Sequence, residues 1–386
     1  MPEPVKVTYP VTIETVAYDQ GMISDTHRHS FLVTNYFCGG SVSSEFETLA
    51  KDKDLSYLPL VGVAMPIPEP SENQTPDIKG HVFCFLPLPV QKTSMTGLPV
   101  HINGFFALSQ NRRYIKTPNA EQEDLAQKEG RQLTDKSLLW NQCLLEEAIP
   151  RAYATMLMEA IKEKSYNIQP DAIYKAWPNM DVIDQKWKRV QNPLLELLCN
   201  ERVVYSPAHG GKWLNVEDAT FDKLPENDPK ELLVRVFLVA NQNVATLPDH
   251  VLRALGLYAN LRTEITPSIT RRVFRETPSC YRSLSRLEKI QLLKFVLKDE
   301  QFSDLLGLEL LPVTNGSFIS FSNTDQAIYI CSPEHPRELL PGLQDRFLDQ
   351  DIDDSLFQSL QAVSNQGTDM IRVNSTTSWN YTQYLK

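Results

Sequence analysis

Apolar and β-branched runs broken by polar, Pro- and Gly-bearing stretches fill much of the first 110 positions, whereas from residue 136 the apolar residues recur at three- and four-residue spacing. Runs of the first kind suit strands, and the longer spacing lines one side of a helix. The segments VKVTYPVTIETVAY, HSFLVTNYF, YLPLVGVAMPI, HVFCFLPLP and VHINGFFALS are rich in Val, Ile, Phe, Tyr and Thr and are predicted strands. Pro and Gly separate them, SSEFETLAKD is one short predicted helix, and residues 66–80 read as a polar loop. Residues 110–135 are polar with almost no periodicity and read as a surface loop or linker.

From Lys136 to Lys164 the helical spacing is carried by Leu138, Cys143, Leu145, Ile149, Ala152, Met156, Leu157 and Ile161. Thr134 or Asp135 can cap this helix, and Pro150 inside the run predicts a kink or a break. Pro193 interrupts the next run, DVIDQKWKRVQNPLLELLC. Further helices are expected at 229–242, 249–261, 267–275, 285–298 and 301–306, two of them announced by Thr266-Pro267 and by a Ser285/Glu288 capping box. Residues 197–221 and 305–329 share one order of features: a Leu-Leu helix end, an apolar strand, a glycine turn and an aromatic strand. They read as a weak internal repeat of two small α/β units, with Asn315-Gly316 a hairpin turn. The tail after residue 365 reads as a final strand or a linker.

The expected class is therefore α+β, with a mixed sheet in a β-rich N-terminal part and then a helical region with small α/β hairpin units. The expected division is a β-rich domain at 1–115, a linker at 116–135, a mainly helical domain at 136–300 with a hairpin near 202–221, and a small α/β unit at 301–386.

Composition narrows the functional classes. The chain has 386 residues and a formal charge of −10, which argues against nucleic acid or an anionic membrane as partner. No apolar run approaches the roughly 20 residues that span a bilayer, so membrane insertion is not expected. The N-terminal MPEPVKVTYP lacks the features of a signal peptide. Six cysteines without a CxxC pair suit reduced thiols, and a cytoplasmic location is expected.

Most catalytic signatures are missing: there is no GxSxG, Walker A, HExxH or GxGxxG. Gly210-Gly211-Lys212 reads as a hairpin turn. Asp349, Asp351 and Asp353 open like a calcium loop, but Asp354 and Leu360 stand where glycine and the bidentate glutamate belong. His27 and His29 would share a strand face without a third ligand, so they read as solvated turn histidines and no metal is expected. Trp177, Trp187 and Trp213 read as core. Glu196 and Asn200 match the E-x-x-x-N spacing of some ATPases without the glycine motif that should follow. What remains is the end of LPVHINGFFALSQNRR, where Ser109, Gln110, Asn111, Arg112 and Arg113 follow an apolar strand. An arginine fork at a strand end suits a phosphate or carboxylate held by another domain. The competing reading has both arginines solvated or paired with acids such as Glu121 and Glu123.

GHVFCFLPLP, TGLPVHINGFFALSQNRR, LLWNQCLLEEAIPRAYATML and LELLPVTNGSFISF resemble the large internal repeats of the sacsin family. They match the segment that follows an ATPase-like module related to the ninety-kilodalton heat-shock chaperone. The resemblance implies a non-catalytic, middle-domain-like part contributing to (co-)chaperone activity by coupling an upstream ATP-binding module to client or partner binding. By similarity Arg112 is the counterpart of an arginine that reaches the nucleotide's γ-phosphate, with Arg113, Asn111 and Ser109 beside it. Ser109 does not directly precede the arginine and Arg113 replaces a glutamate, which are departures from that family's loop. The implied partners are the upstream ATPase-like domain of the same chain, client proteins or other chaperones, and intermediate filaments. No cofactor is expected in this chain, ATP and Mg belonging to the upstream module. No catalysis is expected of the segment alone, and ATPase activity of a full repeat stays open. The alternative is a structural or protein-interaction module with no nucleotide role.

Overall fold

Residues 5–104 build a five-stranded mixed sheet in the computed structural model, which describes residues 2–19, 22–68, 79–85, 88–89, 94–117, 135–256, 263–321, 328–330, 345–349, 351–365 and 373–375. Strands β1 (Val5–Asp19), β2 (Met22–Phe37), β3 (Leu60–Ile67), β4 (Val82–Phe83) and β5 (His101–Gly104) lie in the order β1-β2-β3-β5-β4. All neighbours are antiparallel except β4 and β5. Helix α1 (Ser44–Ala50) sits in the β2–β3 connection, capped by Ser43.

The register explains the core. Leu32 lies opposite Met65, Thr34 opposite Val63 and Tyr36 opposite Val61, while Val63 also faces Ile102. All are buried, so these positions form one face, and helix α3 (Ile149–Lys162) packs on β2 and β3 with Tyr153, Met156 and Leu157 fully buried. Each such large apolar side chain contributes about 1.5–3 kcal/mol of transfer free energy.

Asp135, rather than Thr134, caps helix α2 (Lys136–Cys143), its carboxylate accepting from the Ser137 backbone N–H at 2.9 Å. Pro150 does not break the run. It sits at the second position of α3, and a π-helical turn at Leu144–Ala148 joins α2 to α3. A proline ring collides with the carbonyl four residues earlier, here Glu146, and the wider turn relieves that collision. Pro193 likewise falls in the first turn of helix Gln191–Cys199, where backbone N–H groups have no helical acceptor.

The chain forms two units. The first comprises Met1–Tyr205, Trp213–Asp218 and Leu247–Arg262, and the second Ser206–Lys212, Ala219–Thr246 and Thr263–Lys386. The second is built around helices Lys230–Val239, Pro267–Glu276 and Arg286–Val296, whose Leu233, Phe237, Phe274, Leu292, Leu293 and Val296 are buried together. The expected caps are present at Thr266 and as the Ser285/Glu288 box. Residues 302–305 form a 3-10 turn instead of a helix. A three-stranded parallel sheet of two-residue strands, Thr220–Phe221 between Val244–Ala245 and Thr263–Glu264, was invisible to periodicity because two residues carry none. The Asn315-Gly316 turn joins antiparallel strands Glu309–Pro312 and Phe318–Ser320, and the tail contributes Val373–Ser375, parallel to Ile328–Ile330.

Inside the second unit, fully buried Arg271 forms a two-pronged pair with Asp299, at 2.8 and 2.9 Å, and donates to the Val296 carbonyl. Burial raises the Asp299 carboxyl, but the Arg271 hydrogen bonds outweigh it and hold the group below its usual value. A lowered carboxyl contributes stability above its unfolded value, lost as pH falls through the folded one. Asp299→Asn should therefore destabilise this unit by about 3 kcal/mol near neutral pH, because it strands a buried guanidinium. Urea unfolding of both forms at pH 7 and pH 3 tests this, the difference shrinking at the lower pH.

Candidate functional site

Strand β5 ends at Gly104, four residues earlier than the apolar run predicts. Beyond it, the backbone is held by helix α2 instead of a neighbouring strand. Trp140 Nε1 donates to the Phe105 carbonyl at 2.7 Å. Asn141 accepts from the Ala107 N–H at 2.8 Å, donates back to the Ala107 carbonyl at 2.8 Å, and donates to the Lys116 carbonyl at 2.7 Å. Asn141 is buried, and its side chain thus satisfies both arms of a loop at its base. Lys116 completes the grip through an ion pair at 2.6 Å with Asp135, the residue capping α2. The Lys116 ammonium holds the Asp135 carboxyl below its usual range.

Above this base the chain makes a short hairpin-like loop. The Lys116 N–H donates to Ala107 at 2.8 Å, Leu108 bridges Ile115, and the Ser109 N–H donates to Tyr114 at 3.0 Å. A turn closes the tip, with the Arg112 N–H donating to the Ser109 carbonyl at 2.8 Å. Ser109 Oγ donates to Asn111 Oδ1 at 2.7 Å, and the Arg113 N–H reaches the same oxygen at 3.2 Å. Ser109 and Asn111 are therefore occupied in shaping the tip. Arg112 sits at φ +53°, in the left-handed region that non-glycine residues adopt only at a cost of about 1 kcal/mol.

Residues 110–114 are exposed, and among the described residues neither Arg112 nor Arg113 makes an ion pair or a side-chain hydrogen bond. Glu121 and Glu123, the acids of the competing reading, lie outside the described residues. The arrangement is a rigid base carrying two guanidinium groups into solvent, able to bind an anion presented from outside. A cavity of about 580 Å³ opens beside Asn141, Lys116 and Arg189. Two of its basic lining groups are paired, Lys116 with Asp135 and Arg189 with Glu146 at 2.8 Å.

The other candidates resolve into structure. His27 and His29 lie in β2, not in a turn, and His27 pairs with Asp25 at 2.9 Å. Asp349 is buried against Arg286, and Asp353 accepts from the Leu356 N–H at 3.0 Å at the start of helix Asp354–Asn365 and pairs with Lys294. No metal-binding cluster occurs among the described residues. Gly210 and Gly211, at φ +85° and +94°, turn the chain between strands Val204–Ser206 and Lys212–Leu214. Asn200 spends its amide on the Glu196 carbonyl at 2.8 Å, a helix-end contact. Trp177 and Trp187 are core, while Trp213 is half-buried against Tyr174 and Tyr205. Burial pushes the Cys38, Cys199 and Cys280 thiols up to about 11 and the Cys143 thiol up to about 12, and Cys331 lies outside the described residues.

Asn141 was not singled out from the sequence, although a signal existed. It occupies a core-facing position between Leu138 and Leu145, where an amide requires buried partners. Replacing it with Ala leaves the Ala107 N–H and the Lys116 carbonyl without this partner, while the Ala107 carbonyl keeps the Lys116 N–H, and each unmet buried group costs about 1–3 kcal/mol. Asn141→Ala should lower the denaturation midpoint and speed amide exchange at Ala107, measured by hydrogen exchange.

Human sacsin is 36% identical to this chain over 372 residues, which is 92% of the chain. The chain spans 8% of the length of that protein. No protein-family model and no solved structure matches it.

Proposed function

This chain is a sacsin-related segment, and from that premise we propose a chaperone-related role in which it couples nucleotide state to partner binding. The segment lies downstream of an ATPase-like module and supplies no catalysis of its own. Arg112, with Arg113 beside it, contacts the nucleotide's terminal phosphate when the two modules close, and the contact exists only in the closed state. One observation carries this reading: two exposed guanidinium groups, without acceptors among the described residues, stand on a loop whose base Asn141 and Trp140 fix. A flexible surface arginine would lose much of its binding energy to ordering, whereas a pre-formed tip spends less. No helix among the described residues is long and apolar enough to cross a membrane.

The left-handed conformation of Arg112 supplies a clean test, because glycine adopts it freely. In a chain extended to include the preceding module, Arg112→Gly keeps the tip and removes the guanidinium. Nucleotide turnover, or closure followed by fluorescence transfer between the modules, should fall about tenfold or more, with a smaller loss for Arg113→Ala. Unchanged affinity, turnover and closure in both variants would sink the coupling role and leave an interaction module without nucleotide.

A further inference from the structure

The sheet of the first unit has two faces, and only one is covered by described helices. On the covered face Leu32, Val61, Val63, Met65 and Ile102 are each no more than 1% exposed. On the other, β1 presents Val5, Val7, Tyr9, Val11 and Ile13, all at alternate positions. Val5, Val7 and Ile13 are 67%, 54% and 52% exposed. Tyr9 faces Val33 and Val11 faces Phe31, which extends the patch onto β2. It continues to His101, whose ring lies tilted against Phe31 and edge-on to Phe83, with centroids 5.7 and 5.9 Å away.

The alternation in β1 runs against what solvent selects. Between Val5 and Glu14 its other side carries Lys6, Thr8, Pro10, Thr12 and Glu14, so this stretch turns all of its polar residues toward the helix-bearing side and, Pro10 apart, its apolar ones away. An antiparallel sheet with one wet face shows the reverse. Five consecutive apolar positions on a helix-free face mark a surface meant to be covered.

Charge and size point to the occupant. Over Val5–Ile13, their β2 partners Phe37–His29, and Leu60, Gly62, Ala64, Pro66, His101 and Asn103 behind them, this face carries no Asp, Glu, Lys or Arg; its titratable groups there are Tyr9, His29 and His101, and the paired His27 and Asp25 lie beyond the apolar stretch. A chain of net charge −10 repels a second copy across most of its surface. Here no like charges meet, and an identical face is self-complementary, as a two-fold interface requires. Val5–Ile13 of β1, His29–Phe37 of β2 and all of β3 each run about 25–30 Å and the four-residue β5 about 13 Å, which at a spacing of about 4.8 Å gives a patch of about 450 Å² in projection, on the scale of the roughly 800 Å² of accessible surface per partner in a stable interface. Edge-to-edge addition is disfavoured because Pro10 removes a backbone donor in the middle of edge strand β1.

We propose that the helix-free face of the β1–β2–β3–β5 sheet is a self-association surface, on which a second copy of this chain packs face to face as a β-sandwich. The strands of the two sheets would run within about 30° of each other and about 10 Å apart. The proposal is independent of the arginine loop.

The test is sedimentation velocity of the full chain from about 1 to about 100 μM, a range that brackets a micromolar dissociation constant. Val7→Glu and Ile13→Glu place a carboxylate on the face, while Thr12→Glu places the same charge on the opposite side of the same strand. The wild type and Thr12→Glu should dimerise with rising concentration, and the two face variants should weaken the dimer about tenfold or more. Circular dichroism checks that all four remain folded. A wild type that stays monomeric throughout overturns the proposal, as does a dimer equally sensitive, or equally insensitive, to charge on either side. A monomer that binds an apolar dye through Val7 also overturns it, and would assign the face to another protein.

Discussion

One buried amide governs how the first unit passes from sheet to helix. After Gly104 the backbone leaves the β ladder, and the Ala107 N–H and the Lys116 carbonyl need partners that no strand supplies. Asn141 offers both a donor and an acceptor on one planar group, and it meets three backbone groups at 2.7–2.8 Å. Because it projects from α2, which continues through the π turn into α3 against the sheet, the loop inherits the rigidity of the helical layer. Trp140, one residue earlier, fixes Phe105 in the same manner.

That arrangement separates two kinds of polar residue in a short stretch. Ser109 and Asn111 hydrogen-bond each other and their own backbone, so their chemistry is spent locally. Arg112 and Arg113 share the tip but not these bonds. The Arg112 backbone stands in the left-handed region, where glycine or asparagine meets less strain.

The Val-, Thr- and aromatic-rich runs of β1, of β2 from His29 and of β3, and the helical spacing from Lys136, were legible because each is long and uniform, whereas the first half of β2 was not. Caps at Thr266 and Ser285 were legible because they are local chemistry. The end of β5 was not. The run Phe105–Leu108 is as apolar as a strand, and its withdrawal from the ladder depends on side chains some 35 residues later in sequence. The arginine loop could be located from its residues, but its clamped base and the division of labour between Ser109, Asn111 and the arginines depend on contacts that no spacing encodes. The parallel trio at Phe221, Ala245 and Glu264 was illegible because pairing, not pattern, defines strands that short.

The first unit takes the chain up to Tyr205, returns for Trp213–Asp218, and is completed only by Leu247–Arg262, with pieces of the second unit made in between. No single cut therefore divides the polypeptide into its two units. On a ribosome, which delivers sequence in one direction, the sheet and helix α3 emerge well before helix Asp249–Leu255 that belongs with them. Vectorial synthesis thus leaves the first unit unfinished while the second is already under construction, and the two must mature as interleaved partners.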